Sequence, residues 1–324
     1  EAVFAFKQRF VSDVFRVTGT LDHANSFSTY LCSVVPVLAA AFMAPLGGWL
    51  RVIVAGALGL ATVSSLLTVS RAGIPIFFFI LAGTAVFTGF FRLNLRGLAA
   101  GAGLLAGLVV LFASQWQNLV ARFEIERSLE EEYFDERSEG RGHYLLLAKA
   151  ILDDRFLGVG LNNWSYWVCK KYGAERGWSY QNYDDLDYIP PKEALSDYLY
   201  APPAHNLAAL IAGELGWPGL ILFLLIWMRW FRAGAHFLRR RSSDLAGRLG
   251  VGCCFSVLGV FLQCVTEWVY RQSAIMLTFH VVVGVLASLY YHRRKARQGW
   301  AVPAELGPEE NRSFEFREVA ASRG

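Results

Sequence analysis

Seven stretches of this chain run for at least 18 residues with almost no formal charge, and that recurrence limits the possible folds more than any other feature. They are Thr29–Leu46, Val52–Ser70, Ala72–Phe91, Gly97–Ser114, Asn206–Met228, Leu249–Thr266 and Gln272–Tyr291; only the fifth carries a charge, Glu214. A helix needs about 20 residues to cross a hydrocarbon layer of roughly 30 Å. Helices of soluble proteins present one apolar stripe, whereas these segments are apolar all round. The composition, 54% hydrophobic and 18% charged, agrees but would also suit a large soluble core. The expected fold is an all-α, polytopic transmembrane helix bundle of about seven spans, with a long, partly helical loop.

Charge orients the bundle. The 90 residues Gln115–Ala204 hold 10 Lys/Arg against 16 Asp/Glu, while the rest of the chain holds 21 against 11. Short basic connections stay cytoplasmic. Arg229, Arg232, Arg239, Arg240, Arg241 and Arg248 follow the fifth span, and Arg293, Arg294, Lys295 and Arg297 follow the last. Alternation puts Arg51, Arg92 and Arg96 on that same side and the acidic loop on the other, the periplasm of a bacterial inner membrane. The expected organisation is a periplasmic interfacial segment over 1–28, four spans over 29–114, the loop over 115–204, three spans over 205–291, and a cytoplasmic tail over 292–324. Val3, Phe6, Phe10, Val14 and Val17 fall on one helical stripe, as in an interfacial helix. Four spans before the loop leave Glu1 outside, so further helices are expected ahead of it. Of five cysteines only Cys169 lies in the loop, and all read as small apolar residues rather than a disulfide framework.

Some residues stand out chemically. His205 follows Ala201-Pro-Pro-Ala and should sit where the fifth span begins. The positive end of a helix disfavours an imidazolium, and a neutral imidazole at the membrane surface suits a general base. The competing reading is a polar cap formed by His205-Asn206. Arg71, between the second and third spans, is an arginine on the side where the charge bias does not expect one. Its planar fork suits phosphate or carboxylate, although a snorkelling anchor would look the same. Arg141, at the start of a loop helix spanning Gly140–Asp154, is a second anion-binding candidate beside ordinary solvation. The loop aromatics between Trp164 and Tyr200 suit a membrane interface and sugar stacking alike. Asp184, Asp185 and Asp187 form a weak metal-binding cluster. Glu214 should pack inside the bundle, facing away from His205.

Five segments in order resemble the O-antigen ligase and O-antigen polymerase superfamily. They are Gly19-Thr-Leu-Asp-His-Ala-Asn25, Leu67-Thr-Val-Ser-Arg71, Gly140-Arg141, Asp154-Arg-Phe-Leu-Gly-Val-Gly160, and His205-Asn206 followed by Gly213-Glu-Leu-Gly-Trp-Pro-Gly219. The resemblance implies a metal-independent inverting glycosyltransferase without cofactor, acting on a glycan carried by undecaprenyl pyrophosphate. The acceptor would be a lipid or glycan hydroxyl, on lipid A-core or a growing polysaccharide; no nucleic acid is involved. By this resemblance His205 is the base, and Arg71 and Arg141 bind the pyrophosphate. An aromatic, often Trp, is usual three residues after the family's loop arginine; here Tyr144 stands there, and Arg137 competes with Arg141 for the role. A different class of function, a membrane transporter, predicts polar residues near the midplane of several spans. Most of these spans have none.

Overall fold

A computed structural model describes residues 1–89, 142–173, 203–239 and 243–297, together with Ala113, Trp116, Gln117 and Val120. The fourth expected span, Arg141, the aspartate cluster and the tail from Trp300 lie outside these residues. The described elements are helices α1 (Ala2–Phe10), α2 (Ala24–Met43), α3 (Gly48–Leu67), α4 (Gly73–Thr88), α5 (Gly142–Asp154), α6 (Trp164–Trp167), α7 (Leu207–Arg239), α8 (Leu245–Thr266) and α9 (Ser273–Arg297). A π-turn, Val168–Tyr172, follows α6, and a 3-10 turn, Val269–Arg271, precedes α9. No strand occurs among the described residues, so the fold is all-α. Five helices (α2, α3, α7, α8 and most of α9) are long and apolar enough to cross a membrane, and α4 is a shorter apolar helix.

The bundle closes around α2 and α8 because small residues let their backbones approach. A Cβ on Gly252 of α8 would lie 2.6 Å from the Pro36 carbonyl oxygen of α2, and one on Gly259 would lie 2.7 Å from Ile80 Cδ1 of α4. Successive helices alternate in direction. One end, here the upper, therefore collects the starts of α2, α4, α7 and α9 and the ends of α3 and α8. The lower end collects Arg51, Arg239, Arg248 and Arg293, the last paired with Asp244 at 2.7 Å.

The N-terminal segment departs from the expected stripe. Helix α1 stops at Phe10, and the chain turns through Asp13, whose φ is +48°. The Gln8 side chain then receives the backbone N–H groups of Thr18 and Gly19, both at 3.0 Å. Ala5 and Val17 are buried while Val3 and Phe10 are exposed, and the Val17 N–H donates to the Leu67 carbonyl at 3.2 Å, so this segment folds back over the end of α3 and the start of α2 instead of lying as one amphipathic helix.

Helix α7 is broken, which the continuous apolar run Asn206–Met228 did not foretell. Gly216 has φ +66° and ψ −163°, a conformation open essentially only to glycine. Pro218, two residues on, has no N–H to give the carbonyl of Glu214 four residues back. The loop supplies what the helix lost: Gly160 N–H donates to the Glu214 carbonyl (2.8 Å), Val159 N–H to the Gly213 carbonyl (2.9 Å), and Trp217 N–H to the Phe156 carbonyl (3.0 Å). Residues 156–160 thus stand in for hydrogen bonds that the interrupted helix gives up. The contact is too close for side chains. A Cβ on Gly158 (φ +74°) would lie 2.6 Å from the Glu214 carbonyl, and one on Gly216 would lie 2.1 Å from the Phe156 oxygen. Two segments far apart in sequence, 154–160 and 213–219, are one structural joint.

The break also redirects the helix. Phe237 of α7 packs on Gly250 of α8, Gly234 on Cys254, and Trp227 on Phe261 with ring centroids 5.2 Å apart. Ahead of the arm, Asn206 Nδ2 donates to the Val265 carbonyl at 3.0 Å. From 227 back to 206 α7 uses 21 residues, while α8 advances only 4, from 261 to 265, so the first arm of α7 lies across the end of the bundle. Leu147, Ile151, Trp164 and Tyr172 pack onto that arm and form a second core. All five cysteines are buried thiols without disulfides.

Candidate functional site

The upper end brings together residues from four separate connections. Asn206 caps α7, its Oδ1 accepting the Ala209 N–H at 2.9 Å. His205, immediately before the cap, is therefore released from capping and turns to α8. Its Nδ1 lies 2.8 Å from Oε2 of Glu267, the residue that ends α8. Glu267 is only 3% exposed, whereas the His205 side chain is 34% exposed.

The other Glu267 oxygen, Oε1, accepts from Asn25 Nδ2 at 2.5 Å. Asn25 sits in the first turn of α2, and its Oδ1 accepts from Arg16 at 3.0 Å and from the Ser70 hydroxyl at 3.1 Å. This chain fixes the orientation of each member. A guanidinium only donates, so Asn25 must turn its oxygen to Arg16 and its NH2 to Glu267. An ionised Glu267 carboxylate only accepts, so His205 Nδ1 is the donor in their contact. In the neutral imidazole that arrangement leaves the Nε2 lone pair to accept a proton, the tautomer a general base requires. The Tyr144 ring of α5 packs against the imidazole with centroids 5.8 Å apart.

Arg71 is half-buried in the turn between α3 and α4, adjacent in sequence to Ser70. That turn is shaped tightly. Val69 adopts φ +47°, an outlier for a β-branched residue. Ser70 N–H donates to Thr68 Oγ1 (3.3 Å), and Arg16 Nε donates to the Thr68 carbonyl (3.3 Å). Held strain of this kind, worth about 1–3 kcal/mol, persists only where surrounding structure enforces it. His205 and Arg71 therefore share one end of the bundle, joined through Glu267, Asn25 and Ser70. Arg141 precedes the first residue of α5.

Glu214, expected inside the bundle, is 2% exposed there and accepts from Arg271 Nη1 at 2.7 Å. At the joint, Asp154 at the end of α5 accepts from Lys171 Nζ (2.9 Å) and the Tyr172 hydroxyl (2.7 Å). The Lys171 and Tyr172 hydrogen bonds hold the Asp154 carboxyl below its usual range. Burial, with Asp154 beside it, pushes the Tyr172 phenol up to about 12.

Sequence reading did not single out Arg16, Asn25, Ser70, Glu267 or Arg271 as site residues, although Asn25 and Ser70 lie in segments that carry the resemblance. The available signal was position. Glu267 is a carboxylate one residue past an apolar span, and alternation places that point level with His205.

A family model described as O-antigen ligase matches residues 56–224, just over half of the chain. The matched region holds Arg71, Arg141, His205 and both halves of the joint; Asn25 and Glu267 lie outside it. No match was found among curated proteins.

Proposed function

Because the chain belongs to the O-antigen ligase family, a group of multi-pass membrane proteins that handle lipid-linked glycan donors and acceptors, we propose that it is an inverting glycosyltransferase using a glycan on undecaprenyl pyrophosphate. The observation that carries this reading is the His205–Glu267 pair on the same bundle end as Arg71. An acceptor hydroxyl, on lipid A-core or on a growing polysaccharide, attacks the anomeric carbon from the face opposite the pyrophosphate. Its proton passes to His205 Nε2. The bond from the anomeric carbon to the pyrophosphate oxygen breaks, and the lipid pyrophosphate leaves with the electron pair. Arg71 and Arg141 hold that pyrophosphate and stabilise its developing charge, a role a preset guanidinium performs without metal. Glu267 and Asn25 are positioning residues that keep Nδ1 protonated and Nε2 available.

Charge supports one side of the membrane for this end. The lower end carries Arg51, Arg239, Arg248 and Arg293, and cationic connections stay in the cytoplasm. The histidine end then faces the periplasm, where lipid-linked glycans are consumed in this chemistry. Transfer from a lipid-linked glycan to lipid A-core or to an oligosaccharide acceptor, in proteoliposomes with chelator and no nucleotide, tests the proposal. The wild type should transfer. Arg71→Ala should raise the donor KM, and His205→Ala should lower kcat while donor binding persists. Unimpaired transfer by the His205 variant would remove the proposed base.

A further inference from the structure

The joint between 154–160 and 213–219 leaves an apolar edge in a specific place. Phe156 and Leu157 are 65% and 71% exposed, and Leu161 beyond the turn is exposed as well. A surface loop would not keep three large apolar side chains bare without a use. Their neighbour identifies the environment. The Phe156 carbonyl accepts the N–H of Trp217, and Trp217 heads an exposed apolar stripe on α7 that continues through Ile221, Leu224, Leu225 and Met228. Steps of four, three, one and three residues lie on one helical face. In a multi-pass membrane protein that face meets lipid. The loop edge is its direct upward continuation, held to it by backbone hydrogen bonds on a segment where neither glycine admits a side chain.

The polar surroundings suit the boundary between acyl chains and headgroups. The Arg155 guanidinium lies over the Trp167 ring at 3.9 Å, and Lys170 bonds the Tyr166 hydroxyl at 2.9 Å. Lys171 adds a third cation, and Asp153 and Asp154 are the opposing charges, Asp154 engaged by Lys171 and Tyr172 and, at 3.7 Å, by Arg155 Nε. Aromatic rings beside cations, next to an apolar edge, are the side chains that settle at headgroup level.

We infer that residues 155–161 form a foot seated in the upper leaflet, with Phe156, Leu157 and Leu161 at the acyl boundary and Arg155 and Lys170 among the lipid phosphates. An interfacial segment of this type enters about 5–10 Å. The foot sets the height of α5 and of the first arm of α7, and with them His205, over the membrane. The inference rests on the membrane character of the fold and not on the transfer chemistry.

The test places an environment-sensitive fluorophore at Leu157→Cys and, separately, at Leu161→Cys. The full chain is reconstituted in phosphatidylethanolamine/phosphatidylglycerol vesicles. Because the five native cysteines are buried, labelled wild type supplies the background. Both sites should emit to the blue of the fluorophore's free cysteine adduct in buffer. A spin-labelled lipid carrying its quencher near the headgroup should quench them more than one carrying it deep in the chain. Water-like emission insensitive to either lipid would overturn the inference. So would blue emission that neither lipid quenches, which means a protein cover, or stronger quenching from the deep position. Two sites are used so that poor folding of one variant leaves the other to decide.

Discussion

Among the described residues, the upper end of the bundle holds two buried glutamates, and they are built for different work. Glu214 (2% exposed) faces the Arg271 guanidinium, behind the break in α7; Glu267 (3% exposed) faces the His205 imidazole and the Asn25 amide. Residue type and burial are the same, so the partner makes the difference. Arginine does not surrender its proton, and its pair with Glu214 can only hold α7 to the α8–α9 connection. Histidine exchanges a proton near neutrality, and a carboxylate behind one ring nitrogen decides which nitrogen does so. One carboxylate secures the arm on which the other's partner is mounted.

Four substitutions probe that contrast, in descending order of expected effect. His205→Ala should lower kcat for glycan transfer by about 10²–10⁴-fold, the usual range for a lost general base, while the protein melts near the wild-type temperature. Glu214→Ala should act on stability instead. It leaves the Arg271 charge without its partner, and since that arginine is partly exposed the cost should be about 3 kcal/mol, at the lower edge for buried pairs. It is read as a lower melting temperature in detergent, with kcat largely kept by the protein that remains folded. If Glu214→Ala instead matched His205→Ala in kcat without melting earlier, the two carboxylates would not differ in role.

Glu267→Gln sharpens the comparison from the other side. If the amide oxygen keeps the Asn25 bond, its NH2 donates to His205 Nδ1 and moves the ring proton to Nε2, the wrong tautomer for a base; if the amide turns round, two NH2 groups meet at Asn25. Transfer should slow by about 10- to 100-fold, the scale typical of an orienting partner, with the donor KM nearly constant and the pH–rate profile displaced. An unmoved pH profile would show that Glu267 is structural like Glu214. The smallest effect belongs to Asp154→Asn, which takes part in neither pair. Lys171 and Tyr172 hold the Asp154 carboxyl below its usual range, so its contribution to stability is present above the ordinary carboxylate pKa. It fades as the pH falls through the lowered value. The melting difference between wild type and variant should therefore be largest near neutrality and shrink in acid.

Much of the arrangement is readable residue by residue. The apolar runs mark the spans, and alternation of direction places Arg71 and His205 on one end without any contact being known. The loop helix was expected over Gly140–Asp154 and is seen over Gly142–Asp154, with Leu147 and Ile151 inward as its periodicity requires. The break at Gly216 was not readable, because Gly213–Gly219 taken alone passes for part of an apolar helix. The Asn25–Glu267 contact was not readable either, since 242 residues separate its ends and neither lies in a periodic pattern that points to the other.

Hydropathy and charge are properties of each segment, so the sequence by itself determined a membrane bundle, the end on which its cations collect, and His205 and Arg71 as residues out of place for mere spanning. Hydrogen bonds between distant segments depend on where helices end in space. The tertiary structure alone therefore decided that Glu267 and Asn25 orient His205, that Arg271 answers Glu214, and that residues 156–160 complete the helix Pro218 and Gly216 interrupt.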